Sequence, residues 1–118
     1  MGYVDGPQVS TFPVTIANGG SLSPAIDLAL GRLTRIIMPA AWDTANLTFQ
    51  TSMDGVTWNN FYDSYGTEYT VTAAAARSIL IPLADFIGVQ FIKIRSGTNA
   101  SPVNQTADRA LTLVVVPV

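Results

Sequence analysis

The chain has 118 residues, a single-domain length that buries a core without disulfide or metal staples. Only 12% of its residues are charged, against roughly 25% in ordinary soluble domains, and the net charge is −2; the six cations are scattered among eight acids, which excludes a phosphate-neutralising stripe and hence a nucleic-acid partner. Cys and His are both absent, which excludes disulfides, thiolate chemistry, Ser-His-Asp and Cys-His relays and His-based zinc sites.

Met1 to Ser10 has no apolar periodicity and contains Gly2, Gly6 and Pro7, so it reads as an extended N-terminal arm ahead of a domain from residue 11 to 118. Phe12, Val14 and Ile16 alternate with Pro13 and Thr15, which predicts a strand, at a sheet edge because Pro13 has no N–H to donate. Asn18-Gly19-Gly20 is a turn. Ile26, Leu28 and Leu30 alternate with Asp27 and Ala29 in a second strand, which Gly31 breaks. Leu33 to Met38 is a third strand, ended by Pro39, and Ala40 to Ala45 is a loop carrying Trp42. Leu47 to Thr51 alternates again. Asp54-Gly55 then marks a hairpin turn, because Gly takes positive φ without steric cost, and a second strand-like run carries Trp58 and Phe61. Asp63 to Thr67 is a loop and Glu68 to Thr72 a short strand. Ala73 to Ala76 is a candidate helical turn, too short to nucleate a helix alone. Ile79 to Leu83 is a strand and Ala84 to Gly88 one turn of helix or 3-10 helix. Val89 to Arg95 is a strand with Ile92 and Ile94 inward and Lys93 and Arg95 outward. Ser96 to Ala107 is a polar loop. Leu111 to Val116, nearly continuous in apolar residues, is a central strand covered on both faces. Eight or nine short strands with turns every 8–12 residues or so predict an all-β, two-sheet antiparallel sandwich.

The start of the chain has no basic segment followed by an apolar one, so no signal peptide is expected. The apolar runs Ile79 to Leu83 and Leu111 to Val118 are too short for a membrane-spanning helix, so no membrane is expected. With so few charges, the solvent face consists of Thr, Ser, Asn, Gln, Gly and Ala. That suits a subunit largely covered by neighbours better than a free monomer.

Several motifs carry two readings. Asp54-Gly55 resembles part of a calcium loop, but the spaced acids and closing Glu are missing, so turn chemistry accounts for it. Trp42, Trp58, Tyr62, Tyr65 and Tyr69 are candidate stacking platforms for sugars, with Asn59, Asn60 and Asp63 as partners for hydroxyls; the same rings equally serve as packing with wet polar tips. Trp42 and Tyr65, placed on loops, are the better glycan candidates. Asp43, Asp54, Asp63, Glu68 and Asp85 sit in or near loops with no spacing that pairs two across a cleft, so no glycosidase and no catalysis is expected. The sequons at Asn46, Asn99 and Asn104 carry no weight in a Thr- and Asn-rich chain. Tyr3, Val4, Pro7 and Val9 are candidates for an assembly arm that orders on a neighbouring subunit.

Ser52-x-Asp54-Gly55-x-x-Trp58 followed by Val89-Gln90-Phe91-Ile92-Lys93-Ile94-Arg95 resembles the discoidin-like, galactose-binding-like jelly rolls, in which an SxDGxxW hairpin precedes an ARYIRIR strand. This resemblance covers Leu47 to Arg95 and implies a jelly-roll sandwich. Gly20-Ser21-Leu22-Ser23, Leu33 to Trp42, the hairpin, and Gly97 to Leu113 together look like small proteins encoded among the structural genes of tailed bacteriophages and prophages. That likeness implies a non-enzymatic virion component, such as a capsid decoration subunit or an attachment base for a head fibre or tail. It would be made in the host bacterial cytoplasm, act without a cofactor or metal, and bind capsid or sister subunits as a symmetric homo-oligomer, a trimer among the candidates. The alternative is a carbohydrate-binding module for host surface glycans.

Overall fold

Period-two alternation of apolar side chains becomes eight strands in the computed structural model, which describes residues 9–29 and 31–117. In chain order these are β1 (Ser10–Ile16), β2 (Ile26–Asp27), β3 (Gly31–Ile37), β4 (Leu47–Ser52), β5 (Asn59–Asn60), β6 (Ser78–Leu80), β7 (Phe91–Ser96) and β8 (Arg109–Pro117), with one 3-10 helix at Leu83–Phe86. Two four-stranded sheets form, in the orders β1-β8-β3-β6 and β2-β7-β4-β5. Every pairing is antiparallel, and β1 with β8, β2 with β7, β3 with β6 and β4 with β5 are the four rungs of one long hairpin. Rolling that hairpin so that β3 also meets β8 and β4 also meets β7 closes two sheets over a shared core. This is the jelly-roll form of the two-sheet sandwich. Val14, Ile16, Leu33, Ile36, Leu111 and Leu113 from one sheet face Leu47, Phe49, Ile92 and Ile94 from the other.

The rolled topology sorts the connections into two groups. Residues 17–25, 38–46, 61–77 and 97–108 join strands at one end, here the loop end. Residues 53–58 and 81–90, with Leu28 and Ala29, lie at the other, the open end, where β1 starts and β8 finishes.

Several expectations are corrected. The second strand is only Ile26–Asp27, because the Asp27 carboxylate accepts the Ala29 N–H at 2.7 Å and turns the chain, with Ala29 at φ 51°. Gly31 opens β3 rather than breaking a strand. A Cβ there would lie 2.0 Å from Val115 Cγ1, so the residue permits close approach of β8. Glu68 to Thr72 is no strand; it contributes only isolated bridges from Glu68 to Tyr62 and from Val71 to Leu47. Ala73 to Ala76 forms no helical turn; Ala76 takes φ 58° and donates its N–H to Pro39. The hairpin turn is longer than two residues, since Thr51 pairs with Asn59. β6 ends at Leu80, short of Leu83. β8 is central, but Thr112, Val114 and Val116 on its outer face are only half-buried. Arg95 does point away from the core, yet it is 6% exposed.

Candidate functional site

At the loop end, hydrogen bonds tie distant segments together. Gln105 is fully buried with both side-chain atoms satisfied: Nε2 donates to the Asp43 carbonyl and Ser96 Oγ, and Oε1 accepts from the Asp43 N–H and Arg109 Nε. Its backbone pairs with Gly19 and Gly20. Arg109 also ion-pairs with Asp43, and this guanidinium holds the Asp43 carboxyl below the usual carboxylate range. A second network runs through Arg95, which donates to Glu68 at 3.1 Å, Asn60 at 2.8 Å and Thr48 at 3.3 Å. Glu68 in turn accepts the Asn99 N–H, so one ion pair pins the 61–77 and 97–108 loops over the sheet. A low-dielectric network of this kind is rigid when every member is satisfied.

The candidate glycan residues do not converge. Trp42 is half-buried against the core, with its indole N–H donated to the Ala45 carbonyl at 3.0 Å, so it plugs the loop end. Trp58 precedes β5 at the far end of β4, roughly 17 Å along the strand from the loop end. Lys93 Nζ sits 4.5 Å from the Trp58 ring centroid, so an ammonium already covers one face of that indole. Asn59 is exposed, whereas Asn60 is spent on Arg95 and Gln50. Asp63 accepts the N–H groups of Tyr65 and Thr67 and closes a turn that leaves Tyr65 92% exposed. Tyr62 is about half-exposed beside it. Tyr69 is inward, in a cluster with Phe49, Phe61 and Phe86. Burial and the Asp85 carboxylate, which accepts its hydroxyl at 2.6 Å, push its pKa up.

The Asp54-Gly55 turn holds no acid cluster. Asp54 accepts the N–H groups of Val56 and Thr57 and the Ser52 hydroxyl, and these bonds lower its carboxyl to about 2, Thr57 first among them. No group of three metal-ligating side chains occurs among the described residues. No helix among them is long and apolar enough to cross a membrane.

The open end is different in kind. Met53 is 76% exposed, Val56 80% and Ile87 58%, with Leu83 also exposed on the 3-10 helix. A cleft of about 270 Å³ opens among Met53, Phe86, Ile87, Val89 and the start of β3 at Gly31 and Arg32. A second, of about 550 Å³, lies alongside between Phe12, Leu28, Val115 and Pro117. Arg32 Nε is buried with no hydrogen-bond partner among the described residues. Of the arm candidates, Val9 is exposed, and Tyr3, Val4 and Pro7 lie outside the described residues.

Sequence reasoning missed Arg95, Glu68, Gln105 and Arg32. Alternation marks Arg95 as solvent-facing, and nothing local signals that a loop 27 residues away will cover it. The fold brings polar networks together at the loop end and apolar side chains at the open end. No family model, no curated protein and no solved structure matches this chain.

Proposed function

We propose that this chain is a non-enzymatic structural subunit of a tailed-bacteriophage particle. It acts by protein–protein binding, as a capsid decoration subunit or as the base of a head fibre or tail attachment. The observation that carries this reading is the apolar open end, where Met53, Val56 and Ile87 stand in water on a surface with few charges to keep copies apart. The likeness to small proteins encoded among phage structural genes supports the choice of particle. Burying such a surface against a symmetric neighbour or a capsid lattice supplies affinity without chemistry. The jelly roll offers little strand-edge pairing instead: β1 carries Pro13 in its middle, and β6 has three residues.

Light scattering on the purified protein, paired with co-sedimentation with particles from its source, tests this. A discrete oligomer that sediments with the particles supports it, and a monomer that ignores them refutes it.

Carbohydrate binding is the second reading, favoured by the open ring of Tyr65 next to Asp63 and Tyr62. Under it Tyr65→Ala abolishes glycan binding and leaves assembly intact. A glycan array on the wild type and on the Trp42 and Tyr65 variants separates the two.

A further inference from the structure

Arg32 poses an unanswered electrostatic question at the open end. Its Nε is shut off from solvent and has no hydrogen-bond partner among the described residues. A buried donor without an acceptor destabilises the fold unless something supplies one. No carboxylate lines the cleft among the described residues. Asp27 is engaged by the Ala29 N–H and by Gln90, and Asp85 by the Tyr69 hydroxyl. The rest of the wall is mostly apolar, chiefly Met53, Phe86, Ile87 and Val89, with Gln90 as its one other polar side chain among the described residues, its amide N–H turned to Asp27. A ligand suited to this cleft carries one carboxylate beside apolar side chains.

We propose that the Arg32 cleft receives the Tyr3-Val4-Asp5 segment of a neighbouring copy of this chain, with the Asp5 carboxylate on the Arg32 guanidinium. The inference rests on the assembly reading above and names the contact that makes it. Charge complementarity carries it first. The seven acids among the described residues each accept a hydrogen bond within the chain: Asp27, Asp43, Asp54, Asp63, Glu68, Asp85 and Asp108. Asp5 is the eighth, and it follows two apolar residues, Tyr3 and Val4. Position carries it second. β1 begins at Ser10, opposite Val115 near the end of β8, so the arm issues from the same end of the sandwich as the cleft. Val9, the first described residue, is 60% exposed. The eight residues before it reach at most about 27 Å, enough to cross to an adjoining subunit. An arm of each copy in the cleft of the next is a heterologous contact that closes into a ring when the rotation permits.

The absence of Cys makes the test clean. Val4→Cys and Ile87→Cys are made as separate single variants, mixed and oxidised, and the mixed disulfide is identified by mass. The expected result is a mixed dimer whose yield falls at least fivefold when the partners also carry Asp5→Asn or Arg32→Gln, and which returns when Asp5→Arg meets Arg32→Asp. Thermal unfolding of Arg32→Gln and Arg32→Lys checks that the fold survives, and Arg32→Lys keeps part of the yield. A mixed dimer insensitive to either charge, or none at all, overturns the proposal. So does a Val4→Cys/Ile87→Cys double variant that loses its thiols in dilute solution without gaining mass, because the arm then sits in its own cleft. Deletion of residues 1–8 separates the two readings: an oligomer that persists on particles without the arm sinks this inference and leaves the assembly reading standing, whereas a wild type that never associates sinks both.

Discussion

Replacing Glu68 by Gln removes one charge from the pair that holds the loop end together. The Arg95 and Glu68 side chains are 7% and 15% exposed, with 3.1 Å between Nη1 and Oε2. At that distance, with an effective dielectric near 20, the attraction is about 5 kcal/mol. The Gln amide oxygen still accepts a hydrogen bond, which restores roughly 1–2 kcal/mol. The net loss is therefore about 3 kcal/mol, at the lower edge of what breaking a buried pair costs, because the remaining guanidinium is left in a shell of Asn60 and Thr48. For a domain of this size that lowers the melting temperature by about 12 °C. Urea unfolding followed by circular dichroism measures it, with the slope unchanged if only the pair is lost. The companion variant is Arg95→Met on the Glu68→Gln background, which removes the stranded cation and returns the protein to within about 1.5 kcal/mol of wild type. A single-variant loss below about 1 kcal/mol, or a double variant as unstable as the sum of the two singles, refutes the claim that the pair is a coupled, desolvated unit.

Three further outcomes concern the core, the β3–β8 contact and the Asp54 turn. Phe86→Ala removes the ring that meets Phe49 at 5.2 Å and Phe61 at 5.3 Å, and is expected to cost about 3–5 kcal/mol in denaturant unfolding. Gly31→Ala places a methyl 2.0 Å from Val115 Cγ1 at a position with the Leu28 and Val116 carbonyls also close; a loss of about 1–3 kcal/mol is expected, and an unchanged midpoint rules out the close approach. Asp54 has its carboxyl lowered from 3.8 to about 2 in the folded protein. Between those values the unfolded chain binds the proton and the folded one does not, so this contribution is complete above about pH 4 and disappears as the pH falls through about 2. Asp54→Asn flattens that part of the stability profile in acid titrations, and an unaltered profile denies Asp54 the role.

How far the sequence could be read is clearest along β3. Alternation from Leu33 puts Arg35 and Ile37 on the core face, yet Ile36 is fully buried and Ile37 is 40% exposed. The cause is a bulge: Leu33 pairs with Val115 and Arg35 with Val114, so Thr34 is an extra residue that reverses the phase. Sequence alternation cannot announce such an insertion, because the pairing partner lies about eighty residues away. β1 and β8 are legible because their buried residues alternate with period two, and β4 and β7 because Leu47 and Phe49, and Ile92 and Ile94, alternate on the core face even though Thr48 and Arg95 on the other face are also covered. Glu68 to Thr72 reads as a short strand, but Tyr69 turns inward to Phe86 and the Glu68 carboxylate turns to Arg95, and the segment makes only isolated bridges. The candidate site suffered the same way. Trp42, Trp58 and Tyr65 are recognisable as residue types, but which of them share a surface depends on a strand order that no local pattern encodes.

That strand order also explains why the two ends of the molecule differ. Four connections meet at the loop end, and they supply Asp43, Glu68, Asn99 and Gln105, which bond to one another and to Arg95 and Arg109 on the strands; Gln105 and Arg95 are buried with these groups around them. At the open end the connections are Met53 to Trp58 and Ile81 to Gln90, whose exposed large side chains include Met53, Val56, Leu83 and Ile87; Asp54 and Asp85 are held by hydrogen bonds within the chain, Lys93 lies over the Trp58 ring, and Arg32 on β3 keeps a buried Nε with no hydrogen-bond partner among the described residues. Apolar side chains cannot answer a guanidinium, and they gain little from water. The charged side chains of the loop end are largely spent on one another, with the Tyr62 and Tyr65 rings left exposed, whereas the open end leaves its apolar area in water and the Arg32 Nε without a partner among the described residues. An interface through this end would therefore weaken on Arg32→Gln by raising the off-rate, since the lost contact is buried, and would respond only slightly to added salt. A salt-sensitive association unaffected by Arg32→Gln would instead place the interface on the exposed charges elsewhere on the sandwich.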